Sequence, residues 1–91
     1  MESLQKAFDG FYRIIKKLRS ENGCPWDRKQ TAKSLRTNLL EEAYECIEAI
    51  SEENDQHTAE ELGDVLLLVA MIARIKEEEN AFTFEQVITG I

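Results

Sequence analysis

Apolar residues along this chain recur every three or four positions and almost nowhere in strict alternation, so the pattern predicts helices nearly throughout. Leu4, Phe8, Phe11, Ile15 and Leu18 follow such steps and predict a first helix over about 3–20, slightly weakened by Gly10. The segment Glu21-Asn22-Gly23-Cys24-Pro25 reads as its stop, since Asn or Gly suits the left-handed position after a helix and Pro25 cannot continue one. A second helix is predicted from Thr31, whose hydroxyl can cap free amides, to about Glu53. Its apolar face carries Leu35, Leu39, Ala43, Cys46, Ile47 and Ile50. Asn54 to His57 supply the turn. Thr58 with Glu61 three residues later has the form of a capping box, opening a third helix that runs to about Glu79. Thr83 and Gln86 repeat the signal for a fourth helix beginning at Phe84.

The expected fold class is therefore all-α, a bundle of about four helices in a single domain. Ninety-one residues bury proportionally little surface, so a partner subunit or a metal is expected to supplement the core. The stretch Val65 to Ala73 is apolar around the whole helix circumference, more than so small a bundle buries by itself. The natural inference is a central helix packed against a second copy, with the bundle completed by dimerisation. The chain ends at Gly90-Ile91 inside the predicted fourth helix, and the natural domain is expected to continue beyond it.

Charge narrows the function. Eighteen acids against eleven bases give a formal charge of −7, which argues against sequence-independent binding to a nucleic-acid polymer. Any phosphate bound here calls for a cation as intermediary. Cys24 and Cys46 are too few and too far apart for a zinc knuckle or a secreted disulfide framework, which fits a reducing, cytoplasmic setting. The charged first twenty residues resemble neither a signal peptide nor a membrane span. The longest apolar run, nine residues, is well short of the ~20 a bilayer requires, so no membrane partner is expected.

The informative residues are acids. Positions three apart share a helix face, so Glu42 and Glu45 form one carboxylate pair and Glu61 and Asp64 another. In so acidic a chain such pairs also arise as an ordinary solvated face. Helical phase favours the other reading. Glu42 lies three residues after Leu39, four before Cys46 and a heptad after Leu35, within the stripe that faces the core. Asp64 belongs to the line Glu61, Asp64, Leu68, Met71, Ile75, so both pairs are expected to point inward. Carboxylates converging in a low-dielectric interior take up protons unless a cation neutralises them. Oxygen donors without His or Cys in register suit Mg²⁺ or Mn²⁺ rather than zinc or copper. His57, in the predicted turn, reads as an ordinary surface residue. Mg²⁺ on a few carboxylates completes its shell with waters and substrate phosphates, which implies a phosphorylated ligand.

The ordered set Gly23-Cys24-Pro25-Trp26-Asp27, Gln30-Thr31, Ser34-Leu35, Leu40-Glu41-Glu42-Ala43-Tyr44-Glu45 and Glu60-Glu61-Leu62-Gly63-Asp64 resembles the MazG family of nucleoside triphosphate pyrophosphohydrolases. That family's EExxE and ExxD signatures fall on Glu41, Glu42, Glu45 and on Glu61, Asp64, with fifteen residues between them. The resemblance implies Mg²⁺ on Glu42, Glu45, Glu61 and Asp64. Glu41 and Glu45 are the candidate catalytic residues: Glu41 lies beside the ligands, placed to orient the attacking water or to hydrogen-bond a ligand, with an ordinary surface glutamate as the alternative. It implies hydrolysis of a nucleoside triphosphate to the monophosphate and pyrophosphate, and a homodimer. Lys29, Lys33 and Arg36 are candidates for gripping phosphates, and Trp26 for stacking on a base, although a solvated basic face and a packing anchor are the ordinary roles of such residues. Relatives of this kind often continue into a further basic segment, and they differ in preferring dUTP, dCTP or a broad range. Two other readings remain open on the sequence: a nucleotide-binding regulator without turnover, and an acidic helical module that binds a partner protein.

Overall fold

The computed structural model describes residues 2–91 and contains five helices: α1 (Glu2–Leu18), α2 (Pro25–Lys29), α3 (Arg36–Ser51), α4 (Asp55–Glu78) and α5 (Phe84–Thr89). No strand occurs among these residues, as the helical periodicity predicts. None of the helices is long and apolar enough to cross a membrane. The chain divides into two compact units, one up to Gln30 and one from Thr31 onward.

In the first unit, α1 carries an aromatic cluster at helical spacing. Phe8 stacks with Tyr12 at 6.5 Å between ring centroids and meets Phe11 edge-on at 6.3 Å, and Lys16 Nζ sits 5.7 Å over the Tyr12 ring. Residues 21–25 end α1 as expected, but not through a left-handed residue. Gly23 has no positive φ; it is there for space, since a Cβ would collide with the carbonyl oxygens of Lys17 and Leu18. Pro25, read from sequence only as a breaker, also opens α2 at a position where its missing N–H costs nothing. Arg19 Nη1 donates to the carbonyls of Asp27 at 2.6 Å and Gln30 at 2.9 Å, tying the end of α2 to the residues after α1.

The second unit is a helical hairpin with a short third helix. Thr31 does cap: Ser34 N–H donates to Thr31 Oγ1 at 3.0 Å, and Thr31 N–H donates back to Ser34 Oγ at 2.8 Å. The turn it opens is tight, with Leu35 and Arg36 N–H donating three residues back, so regular α-helix starts at Arg36, later than the sequence suggests. α3 ends in a Schellman turn in which Glu53 takes φ 57 and Asn54 N–H donates to Ala49 O. Asn54 then caps α4 by accepting from His57 N–H at 3.0 Å. The predicted Thr58 cap is corrected accordingly: Thr58 lies inside the first turn, its hydroxyl donates to Asn54 O, and Glu61 is released from capping. The predicted box at Thr83 and Gln86 forms in full. Phe84 N–H donates to Glu77 Oε2 at 2.8 Å while Arg74 Nη1 holds Glu77 Oε1 at 3.0 Å, which fastens α5 to the end of α4.

The α3 core stripe is Leu35, Leu39, Glu42, Cys46 and Ala49, with Leu35, Cys46 and Ala49 buried. Ile47 and Ile50, expected on that face, are 60% and 55% exposed because the true stripe lies about one residue around the helix from them. On α4, Ala70, Met71, Ala73 and Ile75 are buried but Leu62, Leu66 and Leu67 are exposed, so within one chain this helix is not covered all round.

Candidate metal centre

A three-residue connection, Glu52 to Asn54, turns the chain back so that α4 packs along α3. This sets Glu42, in the core stripe of α3, against Glu61, two turns into α4. Glu45 stands one turn beyond Glu42 on the same face. One carboxylate oxygen from each of Glu42, Glu45 and Glu61 lies within 4.8 Å of the others.

The three differ in solvation. Glu61 is only 8% exposed, Glu42 is half-buried and Glu45 is exposed. Glu42 Oε2 and Glu61 Oε2 are buried with no hydrogen-bond partner, an expensive condition for acceptors that could hold full charge. The consequence is visible at Glu42. Lost hydration, then the charges of Glu45, Asp64 and Glu61, push its carboxyl above the ordinary carboxylate range.

Asp64 is near enough for its charge to act on Glu42, but it is exposed rather than inward-facing. The expectation that both pairs point into an enclosed interior is thus met by Glu42 and Glu61, while Glu45 and Asp64 lie towards solvent. The physical reason is the geometry of a two-helix contact: only one row of each helix faces the other, and the residue a turn away moves to the rim.

Oxygen-only donors with two orphaned, buried atoms suit a hard divalent cation. Octahedral coordination at about 2.1 Å spreads ligand oxygens about 3 to 4 Å apart. The spread observed here approaches that.

The other predicted site residues fall outside this cluster. Glu41 is exposed on α3, where with Leu40, Tyr44 and Glu45 it lines an open depression. Arg36, the first residue of α3, is ~9 Å along the axis from Glu42 and about 120° around it. Its Nε donates to Lys33 O at 3.1 Å, and both residues are exposed. Trp26 and Lys29 lie on α2 in the first unit, Trp26 being 54% exposed. Arg28, a neighbour of these cations, is occupied by the Glu21 carbonyl at 2.8 Å.

One residue escaped the sequence reading. His57 is half-buried in the first turn of α4, and its Nε2 lies 3.1 Å from Glu61 Oε1. Its i,i+4 spacing to Glu61 was the available signal; placing the helix start at Thr58 put His57 in the turn and hid it.

Comparison with known proteins shows the family. The MazG nucleotide pyrophosphohydrolase domain matches residues 30–91, which include all four carboxylates. A nucleoside triphosphate pyrophosphohydrolase/pyrophosphatase MazG of Thermotoga maritima is 57% identical over 81 residues, 89% of this chain and 32% of that protein. An uncharacterized protein, YabN, of Bacillus subtilis is 53% identical over 88 residues, 97% of this chain and 18% of that protein. A nucleoside triphosphate pyrophosphohydrolase of Escherichia coli is 39% identical over 84 residues, 91% of this chain and 32% of that protein. The chain therefore spans a third or less of the length of these relatives. With the domain match covering most of its length and the paired acids meeting between two helices, the chain belongs to the MazG nucleotide pyrophosphohydrolase family.

Proposed function

We propose that this protein hydrolyses nucleoside triphosphates to nucleoside monophosphates and pyrophosphate in a Mg²⁺-dependent reaction, Mn²⁺ being able to substitute. The observation that carries the reading is the convergence of Glu42, Glu45 and Glu61 on one point with two buried oxygens left without partners. Family membership and the printed names of the Thermotoga and Escherichia relatives support the same chemistry. Glu42, Glu45 and Glu61 would hold the cation, with Asp64 as a further ligand. When bound, the cation neutralises charge at the phosphates and lowers the pKa of a water.

The chain's own residues do the rest. Water attacks the α-phosphorus, the α–β anhydride bond breaks and pyrophosphate departs. Glu41, beside the ligands on the open side of α3, orients that water. Lys33 and Arg36, at the start of α3, offset the charge of the departing phosphates. A second copy of the chain covers the apolar residues that α3 and α4 leave open, among them Leu40 at 72%, Tyr44 at 62% and Leu62 at 54% exposure. Two free cysteines suit a reducing cytoplasm.

The test is product analysis with a panel of ribo- and deoxyribonucleoside triphosphates and Mg²⁺. Monophosphate and pyrophosphate in equal amounts, abolished by Glu45→Gln or Asp64→Asn at unchanged helicity, is the expected result. Nucleotide binding without product indicates a regulator, and neither binding nor product returns the acids to a solvated face.

A further inference from the structure

Glu61 is the most enclosed of the clustered acids, and its two oxygens have different surroundings. Oε2 is buried without a hydrogen-bond partner, and one carboxylate oxygen of Glu61 belongs to the group formed with Glu42 and Glu45. Oε1 lies 3.1 Å from His57 Nε2. A carboxylate can only accept, so the ring nitrogen facing it carries the proton and donates. The side chain is thereby held at one oxygen by a donor outside the cluster, which leaves the other oxygen as the one available to a cation. A glutamate has three rotatable bonds, and without an anchor its carboxylate would swing away from Glu42 to escape repulsion and regain water.

The anchor itself is well supported. His57 N–H donates to Asn54 Oδ1 at 3.0 Å, which fixes the backbone at the first turn of α4, and four residues of helix carry the ring to the level of Glu61. None of the residues assigned by the family resemblance includes His57, and its role rests on the metal-centre reading proposed above.

We infer that His57 is a positioning residue that holds Glu61 by Oε1 so that Oε2 faces the divalent cation. Ligating carboxylates are commonly oriented by such outer hydrogen bonds, and removing one weakens metal binding by tenfold or more.

The experiment is Mn²⁺ binding without nucleotide, followed by the electron paramagnetic resonance signal of free Mn²⁺, for the wild-type protein, His57→Ala, His57→Gln and Glu61→Gln. The backbone cap at Asn54 does not involve the imidazole, so both His57 variants are expected to fold with unchanged helicity and urea midpoints close to wild type in EDTA. His57→Ala should bind Mn²⁺ about tenfold more weakly. His57→Gln, whose amide N–H reaches nearly as far as Nε2, should restore most of the affinity, a rescue that a merely structural role would not produce. Equal affinity in His57→Ala, or no recovery in His57→Gln, overturns the inference while leaving the metal centre standing. A wild-type protein that binds Mn²⁺ no better than Glu61→Gln overturns the metal-centre reading and the role of His57 with it.

Discussion

Replacing Glu61 by Gln should have opposite effects on stability with and without a divalent cation. The oxygens of Glu42, Glu45 and Glu61 lie within 4.8 Å of one another, and two full charges at that separation repel by about 3.5 kcal/mol at an effective dielectric constant of ~20. That figure is a ceiling. Glu45 is exposed and screened, and Glu42 relieves part of the repulsion by retaining its proton above the usual range. What remains is the burial of Glu61 Oε2 without a donor, a condition that costs about 1–3 kcal/mol. In Glu61→Gln the amide oxygen still accepts from His57, while the amide N–H₂ donates towards Glu42. Stability in EDTA near neutral pH should therefore rise by about 1–2 kcal/mol. With a cation at a hundred times its dissociation constant the wild-type protein gains about 2.7 kcal/mol by mass action. The variant, short of one ligand, gains far less, so the order of stabilities reverses. Urea unfolding followed by far-ultraviolet circular dichroism, in EDTA and in Mn²⁺, measures both. A variant less stable than wild type in EDTA would show that the buried carboxylate is not under strain. Parallel gains in Mn²⁺ would show that Glu61 is not a ligand.

The raised pKa of Glu42 contributes to the pH dependence of the cation-free protein. Between the ordinary carboxylate value of 4.5 and the higher folded-state value, Glu42 binds more protons in the native state than in the unfolded chain, so the stability it contributes is fully present below this window and is lost as pH rises through it. Urea midpoints in EDTA should decline across that range, and Glu42→Gln should flatten the decline; a midpoint that climbs instead contradicts the assignment. Glu53 sits at φ 57 in the turn between α3 and α4, where a side chain is unfavourable and glycine is not. Glu53→Gly should stabilise by about 0.5–1 kcal/mol, read as a shift of the urea midpoint at constant slope. No shift, or a loss, would mean that the Glu53 side chain contributes contacts that outweigh its backbone cost.

Much of the architecture was legible in the periodicity. The all-helical class, the break at residues 21–25, a turn at Asn54 and the complete capping box at Thr83 follow from local rules of spacing and capping that act within a few residues. The phase argument that put Glu42 in the core stripe also rests on spacing within one helix, and the structure agrees with it. Helix starts were less legible, because Asn54 and Thr58 both carry side chains able to cap and only the chain reversal after α3 decides between them.

What the sequence determined by itself was the chemistry on offer: helices, an acid excess, and paired carboxylates at helical spacing in an ordered set of motifs. Tertiary structure alone decided which of those acids meet. The angle and height at which α4 packs on α3 bring Glu61 to Glu42 and Glu45, leave Asp64 at the rim, turn Ile47 and Ile50 outward and place His57 against Glu61. These outcomes depend on the relative rotation of two helices, a long-range quantity that no single helix's periodicity contains.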